Sequence, residues 1–495
     1  VSEKINLMIP VLLIAVPLLA GLIGFMLKDG AAKGWALFAS LVTLGITLVA
    51  VALPEASKEL VVNVEWLTGL NSRFALHLDG LAGILCLLTT LSYPIIFIAT
   101  WGEQYKKARN FFGLMLLSLA GMLGVFLASD ALLFYFFWEL ALIPVYFLAS
   151  QWGGEKRIQA TFKFFVYTFL GSLLMLVAII YISFHTRDHS FSIASFYGAK
   201  GMISGQDQTW LFWLMFAAFA VKMPIFPFHT WQPDTYEQAT PAVTMILSAI
   251  MVKMGLYGVL RWLAPVLSIG TYMWGDTVSA LCIIGLIYAS LIAIRQDDLK
   301  RFVAYSSIAH VALMCLAIFA TTESGMQGMM IQMFNHGINI LGLWIVVYLI
   351  EKKYHTRKIS ELGGVAQKAP VLTTMLVIIA LANIALPLTN GFVGEFLMFN
   401  GIYGSKVTHY NVLFMVLAAI PVILAAVYML NMVQRVFYGS ANALTEKTTD
   451  IGWNEKLVLG LIVVLILWIG VYPEPFFQLT RNVTESLLSK MYFKP

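Results

Sequence analysis

Residues 208–228 read QTWLFWLMFAAFAVKMPIFPF, an apolar run of bilayer length that closes on a lysine and two prolines. Proline removes a helix hydrogen bond, and at bilayer depth the freed carbonyls need protein or water as partners. The run therefore predicts a broken membrane helix at Lys222-Met223-Pro224-Ile225-Phe226-Pro227. A second run, 370–400, breaks in the same way at Leu386-Pro387-Leu388-Thr389-Asn390-Gly391. Four unbroken apolar runs separate the two. Breaks five helices apart suggest two five-helix repeats, helices 4–8 over 111–264 and helices 9–13 over 275–438. Five is odd, so the second repeat is inverted. Discontinuous helices at matching places in inverted repeats point to a transport site. A plain proline kink is the competing reading of either break alone.

Outward from these breaks, apolar runs recur along the chain. They predict helices at 5–27, 33–53, 78–101, 111–128, 131–149, 161–184, 208–228, 242–264, 275–294, 303–320, 325–350, 370–400, 411–438 and 456–473. Each is near the roughly 20 residues that one crossing takes. The expected fold is an all-α polytopic membrane protein of about 14 transmembrane helices, a count that rests on that length criterion. It forms a single integral membrane domain over 1–495, with helices 7 and 12 discontinuous. The 495 residues are 60% hydrophobic and only 12% charged, which excludes a soluble domain. The first run carries no small-residue cleavage site and reads as the first helix. The longest loops, 54–77, 185–207 and 439–455, are too short to be domains.

Lysine and arginine set the orientation. With the N-terminus outside and fourteen crossings, 19 of the 31 Lys+Arg fall in cytoplasmic loops and 10 outside; Lys222 and Lys253 lie within helices. Both termini are thus expected on the periplasmic side of a bacterial cytoplasmic (inner) membrane. The segment 351–358, EKKYHTRK, is the strongest inside marker.

Cys86, Cys282 and Cys315 form no C-x-x-C pair and lie in apolar runs, so clusters, zinc and disulfides find no support. Neither a dinucleotide fingerprint nor a phosphate loop occurs. No basic cluster interleaved with aromatics suggests nucleic acid. His185 and His189 lack further ligands, so no metal site is expected, and no serine or cysteine nucleophile has a credible base.

What remains is buried charge. Glu139, Lys222, Lys253 and Glu395 interrupt otherwise apolar helices, at roughly 3 kcal/mol each on the mildest insertion scale. Burial penalises each charged form, and an ion pair between Glu139 and Lys222 would restore both. Such a pair is either a proton-dependent switch or a static tie between helices. Lys253 has apolar neighbours for several turns and cannot reach water along its own stem; Tyr257 follows on the same face. Glu395 lies within a turn of the second break, at the place that repeat symmetry relates to the region of Lys222. Gln332, Asn335, His336 and Asn339 form one polar stripe, and His310 shares a face with Ser306. Histidine titrates in the range a proton wire needs. His229, just past the first break, is a weaker candidate. Asp79-Gly80 reads as a helix cap, and Lys163, near a helix start, as a residue that reaches water.

The motifs Phe137-Trp138-Glu139 with Pro144, Lys222–Asp234, Asp298–His310 and Asn390–Phe396 together resemble the antiporter-like proton-translocating subunits of respiratory complex I. The likeness runs from about helix 3 to helix 13. It implies fourteen core helices, two inverted repeats and one proton channel. It implies Glu139 and Lys222 as the input pair, Lys253 as central relay and Glu395 as periplasmic exit, with His310 and His336 lining the connection. An acid at Glu395, where two sister types carry lysine, and a chain that stops soon after helix 14 without a long lateral helix, match one type within the family. The stretch Glu237-Gln238-Ala239-Thr240-Pro241 departs from the usual pattern after the broken helix. The resemblance also implies that NADH, FMN, iron–sulfur clusters and quinone belong to partner subunits, with no cofactor here. The expected partners are other membrane-arm subunits, sister antiporter-like chains included, and the lipid bilayer. Two further readings stay open: a subunit of a multisubunit cation/proton antiporter, and a non-pumping scaffold.

Overall fold

The computed structural model describes residues 2–53, 60–446 and 449–491, so the predicted loops 54–77 and 439–455, and the ends of the 1–495 domain, lie partly outside the described residues. Helices fall on every predicted run. The first six long ones are α1 (Ser2–Gly24), α2 (Asp29–Ala52), α3 (Gly80–Ala99), α4 (Ala108–Leu127), α5 (Ala131–Trp152) and α6 (Arg157–Phe184). After a short α7 (Ile193–Gly198), the first broken run appears as α8 (Gly205–Lys222) and α9 (Trp231–Gln238). Next, α10 (Pro241–Ile246) and α11 (Val252–Gly258) are joined and extended by π-helical turns at Leu247–Met251 and Val259–Leu263. Then come α12 (Ser268–Arg295), α13 (Leu299–Phe319) and α14 (Glu323–Tyr354). The second broken run is α15 (Pro370–Asn383) and α16 (Asn390–Tyr403), followed by α17 (Asn411–Val436), α18 (Trp453–Val471) and α19 (Glu474–Met491).

Eleven of the described helices are long and apolar enough to cross a membrane; Met8–Gly24 and Pro370–Asn383 are shorter apolar helices. Burial sorts them. The most apolar windows of Pro241–Leu263 and α14 are 100% buried, whereas those of α2, α17 and α18 are 33% buried. The helices that carry Lys253 and His336 are therefore the centre of the bundle, and α2, α17 and α18 form part of its apolar outer wall.

Three features depart from the predicted helix map. Residues predicted as a loop form an antiparallel hairpin, β1 (Leu60–Leu67) and β2 (Ser72–Leu78), turned through Asn71 at φ 52°. Asparagine tolerates that left-handed conformation. Leu78 is strand, and α3 starts after Asp79, whose Oδ1 accepts from the Ala82 N–H at 3.0 Å, as the cap reading expected. The stretch after the last predicted span is not a short tail but α19, which buries Phe476, Thr480, Val483, Thr484 and Leu487. Gly80 is what lets it approach: a Cβ there would stand 1.7 Å from the Leu479 carbonyl oxygen.

Two helix starts repeat one local design. Asp130 Oδ1 caps α5 through the Leu132 and Leu133 N–H groups, at 3.0 and 3.1 Å. Its strand-like neighbours exchange Ala131 N–Phe191 O and Ile193 N–Ser129 O bonds of 2.8 and 2.9 Å. Asp298 caps α13 through Lys300 and Arg301 N–H, at 2.9 and 3.1 Å. Its neighbours exchange Leu299 N–Arg357 O and Ile359 N–Asp297 O bonds of 2.9 and 2.7 Å. A capping aspartate thus bridges to a residue two long helices later in both halves of the chain.

Candidate functional site: a buried line of ionisable side chains

The π turn at Leu247–Met251 precedes Lys253 immediately, an insertion of the kind that re-aims side chains at functional positions. Lys253 is fully buried. Its Nζ donates to the Ser248 carbonyl at 3.1 Å and lies 2.8 Å from His336 Nδ1. In its ammonium form Lys253 has no lone pair, so Nδ1 accepts. A neutral His336 then carries its proton on Nε2, which faces Ser307 Oγ at 3.4 Å. The His336 and His310 rings are 5.6 Å apart, centroid to centroid. His310 Nδ1 lies 3.1 Å from Glu395 Oε1, and Nε2 lies 3.3 Å from Asn383 Oδ1. Asn383 Oδ1 also accepts from Ser306 Oγ at 3.3 Å, and Ser306 meets the Tyr428 hydroxyl at 3.2 Å.

These contacts fix a proton count. Asn383 Oδ1 accepts only, so His310 carries hydrogen on Nε2. The Nδ1–Oε1 contact then needs one more proton, on the imidazole or on the carboxyl. His310 and Glu395 together hold one mobile proton in either form. A cavity of ≈ 20 Å³ adjoins His310, Asn383, Glu395 and Tyr428. It has room for about one water, which needs roughly 10–15 Å³.

The second break places Glu395. α15 ends on Asn383, and Glu395 sits on the second piece, α16. Lys222 is instead the last residue of the first piece of its own helix, so the two do not occupy matching sides of the breaks. Amides on α14 hold both sides of the break: Asn335 Nδ2 donates to Asn390 O at 2.7 Å, and Asn339 Nδ2 to Ala382 O at 3.5 Å. Within the predicted polar stripe these two asparagines hold the break and His336 alone joins the line; Gln332 Oε1 is buried without a partner. A Cβ at Gly391 would stand 2.1 Å from the Ala382 carbonyl oxygen, a backbone atom that cannot swing aside. Gly391→Ala is therefore expected to destabilise by roughly 1–3 kcal/mol, as overpacking does. A lowered unfolding midpoint in detergent, with reduced activity of the surviving fraction, checks it.

The other two charges are arranged differently. Lys222 is buried at the C-terminal end of α8, where the helix dipole favours a cation. Its Nζ stands 5.2 Å from the centroid of the Trp138 ring, a cation–π contact. Neither Lys222 Nζ nor Glu139 Oε1 has a hydrogen-bond partner. No ion pair within 4.0 Å joins them among the described residues, so the expected Glu139–Lys222 pair is open here. Glu139 is half-buried, not buried. Phe136 and Ile143, about one turn to either side, are 49% and 48% exposed, so Glu139 stands at the rim of an apolar outer surface.

The two lysine-bearing helices meet at glycine. A Cβ at Gly255 would lie 2.7 Å from the Phe219 carbonyl and 2.8 Å from Met223 Cβ, so α11 rests directly on the end of α8. His229 lies apart from the Lys253–Glu395 line. Its ring is 5.2 Å from Tyr288, and its Nδ1 is buried without a partner. Lys163, set aside in the sequence, donates to Thr230 O and Asp234 Oδ2 at 2.9 and 2.8 Å and so braces the first break.

Ser307, Asn383, Tyr428 and Trp138 were missed as site residues. Asn383 carried a usable signal, a lone amide at the end of an apolar run just before a break. Tyr428 carried none, because a tyrosine in an apolar helix reads as packing.

Residues 128–430 match the family described as "NADH:quinone oxidoreductase/Mrp antiporter, TM". The chain is 37% identical over 459 residues to the NADH-quinone oxidoreductase subunit M of Rickettsia typhi, covering 92% of each chain. It is similar to a chain in the structure of respiratory complex I from Thermus thermophilus with bound NADH, at a TM-score of 0.90 and 25% identity, over 98% of this chain and 100% of that one. A chain of the Mrp complex from a Dietzia species shares the fold at a TM-score of 0.85 and 18% identity, over 98% and 99% of the two chains.

Proposed function

This chain belongs to the NADH:quinone oxidoreductase/Mrp antiporter transmembrane family, and from that premise we propose that it is a proton-translocating, M-type subunit of the membrane arm of an NADH:quinone oxidoreductase. The observation that carries the reading is the Lys253–His336–His310–Glu395 line, which crosses the best-buried part of the bundle with one cavity of water size beside its end. In the proposed path, Glu139 and Lys222 receive the signal, Lys253 stores the proton, and His336 and His310 pass it to Glu395 for release. His229 lines the entry beside the first break. NADH, FMN, iron–sulfur clusters and quinone belong to partner subunits, and this chain does no redox chemistry. Sister antiporter-like subunits flank it, one of them against the surface at Phe136 and Ile143. Electron transfer elsewhere changes the charge beside Glu139, and closing or opening its pair with Lys222 sets the proton affinity of Lys253.

Fourteen crossings, both termini periplasmic and an inner-membrane location complete the reading. The repeats at 111–264 and 275–438 are supported by the matched bridges at Asp130 and Asp298. Helix count puts those two bridges on opposite membrane faces, as inversion requires.

The matched family takes in Mrp antiporters as well, but the 37% identical relative is an oxidoreductase subunit M, whereas the likeness to the Mrp complex, at 18% identity, speaks for the fold alone. The scaffold alternative predicts that the buried charges tolerate neutral replacement. The test is NADH-driven proton uptake by reconstituted complexes that carry Lys222→Ala, Lys253→Ala or Glu395→Gln. Lower proton-to-electron ratios are expected in each; unchanged ratios in all three would reject the proposal.

A further inference from the structure

Beyond the relay residues, the helix that carries Lys253 ends in a second buried charge. Tyr257 and Arg261 follow Lys253 at four and eight residues, about 6 and about 12 Å along the axis. Both line a cavity of ≈ 780 Å³ on the face of the β1–β2 hairpin, bounded also by His77, Asp79 and Lys490. Water there would stand about one helical turn from Lys253. The distance is short enough for a leak, since a proton stored on Lys253 could leave along α11 and bypass Glu395.

The geometry closes that route. Arg261 Nη2 bonds Asp79 Oδ2 at 2.5 Å, with both side chains largely buried. The guanidinium carbon lies 5.6 Å from the centroid of the Tyr257 ring. Tyr257 spends its only hydroxyl proton on the Phe126 carbonyl, at 2.9 Å, and packs edge-on against Phe126 at 5.4 Å. The hydrogen bonds of Lys253 go to Ser248 and His336, neither of which lines the cavity. Lys490, over the Tyr197 ring at 4.7 Å, adds a second cation at the mouth. Arginine keeps its proton at any working pH, so it cannot relay one, and a fixed cation in a narrow path repels protons.

We propose that Arg261, clamped by Asp79 and laid over Tyr257, is the seal between Lys253 and the hairpin-face cavity, and that it forces the stored proton through His336. The inference rests on the relay reading but is read without turnover. Purified complexes in vesicles are given a pH gradient with no NADH present. Arg261→Met is expected to collapse the gradient at least tenfold faster than the natural protein, with NADH oxidation retained. Arg261→Gln, which keeps a polar group at this position and is the gentler change to the fold, is expected to do the same. Asp79→Asn, which keeps the cation, is expected to stay tight. Adding Lys253→Met to either Arg261 variant is expected to abolish the leak, whereas a merely loosened fold leaks with or without Lys253. Wild-type tightness of an assembled Arg261 variant, or a leak that survives loss of Lys253, overturns the seal. Neither outcome touches the relay, which fails separately if Lys253→Met alone pumps normally.

Discussion

Lys253→Met is expected to stop proton transfer through this subunit while leaving it folded. The stability terms nearly cancel. Removing the ammonium leaves His336 Nδ1 unpaired, at about 1–3 kcal/mol, and takes one of the bonds accepted by the Ser248 carbonyl. Against that, a fully buried cation no longer has to be held out of water, a penalty of several kcal/mol. Methionine has similar length and adapts to the space. The unfolding midpoint should therefore hold or rise. Flux has no such compensation, because methionine neither takes nor gives a proton. A positioned proton-transfer group contributes about 10²–10⁴-fold, and the residual rate should fall by that order. A static tie between α11 and α14 predicts the opposite split, lower stability with pumping retained. Measuring the midpoint and the proton-to-electron ratio on the same preparation separates the two.

The sequence made the helices and the central charges legible for one reason. Membrane burial demands long apolar runs, so each exception stands out: Lys253 and Glu395 by their charge among apolar neighbours, and His336 by the short polar stripe it shares on an otherwise apolar helix. The hairpin and α19 were not legible by that criterion, because both lie outside the apolar runs and are held by contacts distant in sequence, such as Gly80 against Leu479. The same limit applied within the site. The spacing of Gln332, Asn335, His336 and Asn339 places them on one face, yet cannot say that two asparagines bond carbonyls on either side of a break some 50 residues later. It also suggested a closed Glu139–Lys222 pair, whereas Lys222 rests on Trp138 and, among the described residues, no ion pair joins it to the half-buried Glu139. Charge complementarity says that two such groups attract, not that packing lets them meet. An open pair beside an apolar rim is what a switch governed by a neighbouring chain requires, since a closed pair would hold its own state.

His310→Gln is expected to be nearly as damaging as His310→Leu, and the comparison decides what His310 does. Among the described residues its ring bridges the Lys253–His336 end and Glu395, with contacts of 3.3 Å to Asn383 and 3.1 Å to Glu395. If it only positions Glu395, an amide that keeps a donor and an acceptor can replace it, and glutamine should restore most of the flux that leucine removes. If it exchanges a proton with Glu395, glutamine fails, because an amide does not titrate near neutral pH. The proton count allows exchange. Asn383 holds the Nε2 hydrogen in place, so the remaining proton moves along the Nδ1–Oε1 contact without any ring flip. The adjoining cavity has space for about one water, too little for a file of waters to replace the ring. Proton flux should fall by at least about 10²-fold in both variants, the low end of what such a group supplies. The assay is single-turnover proton release from reconstituted complexes, and recovery of more than half the natural rate in His310→Gln would reduce His310 to a positioning residue.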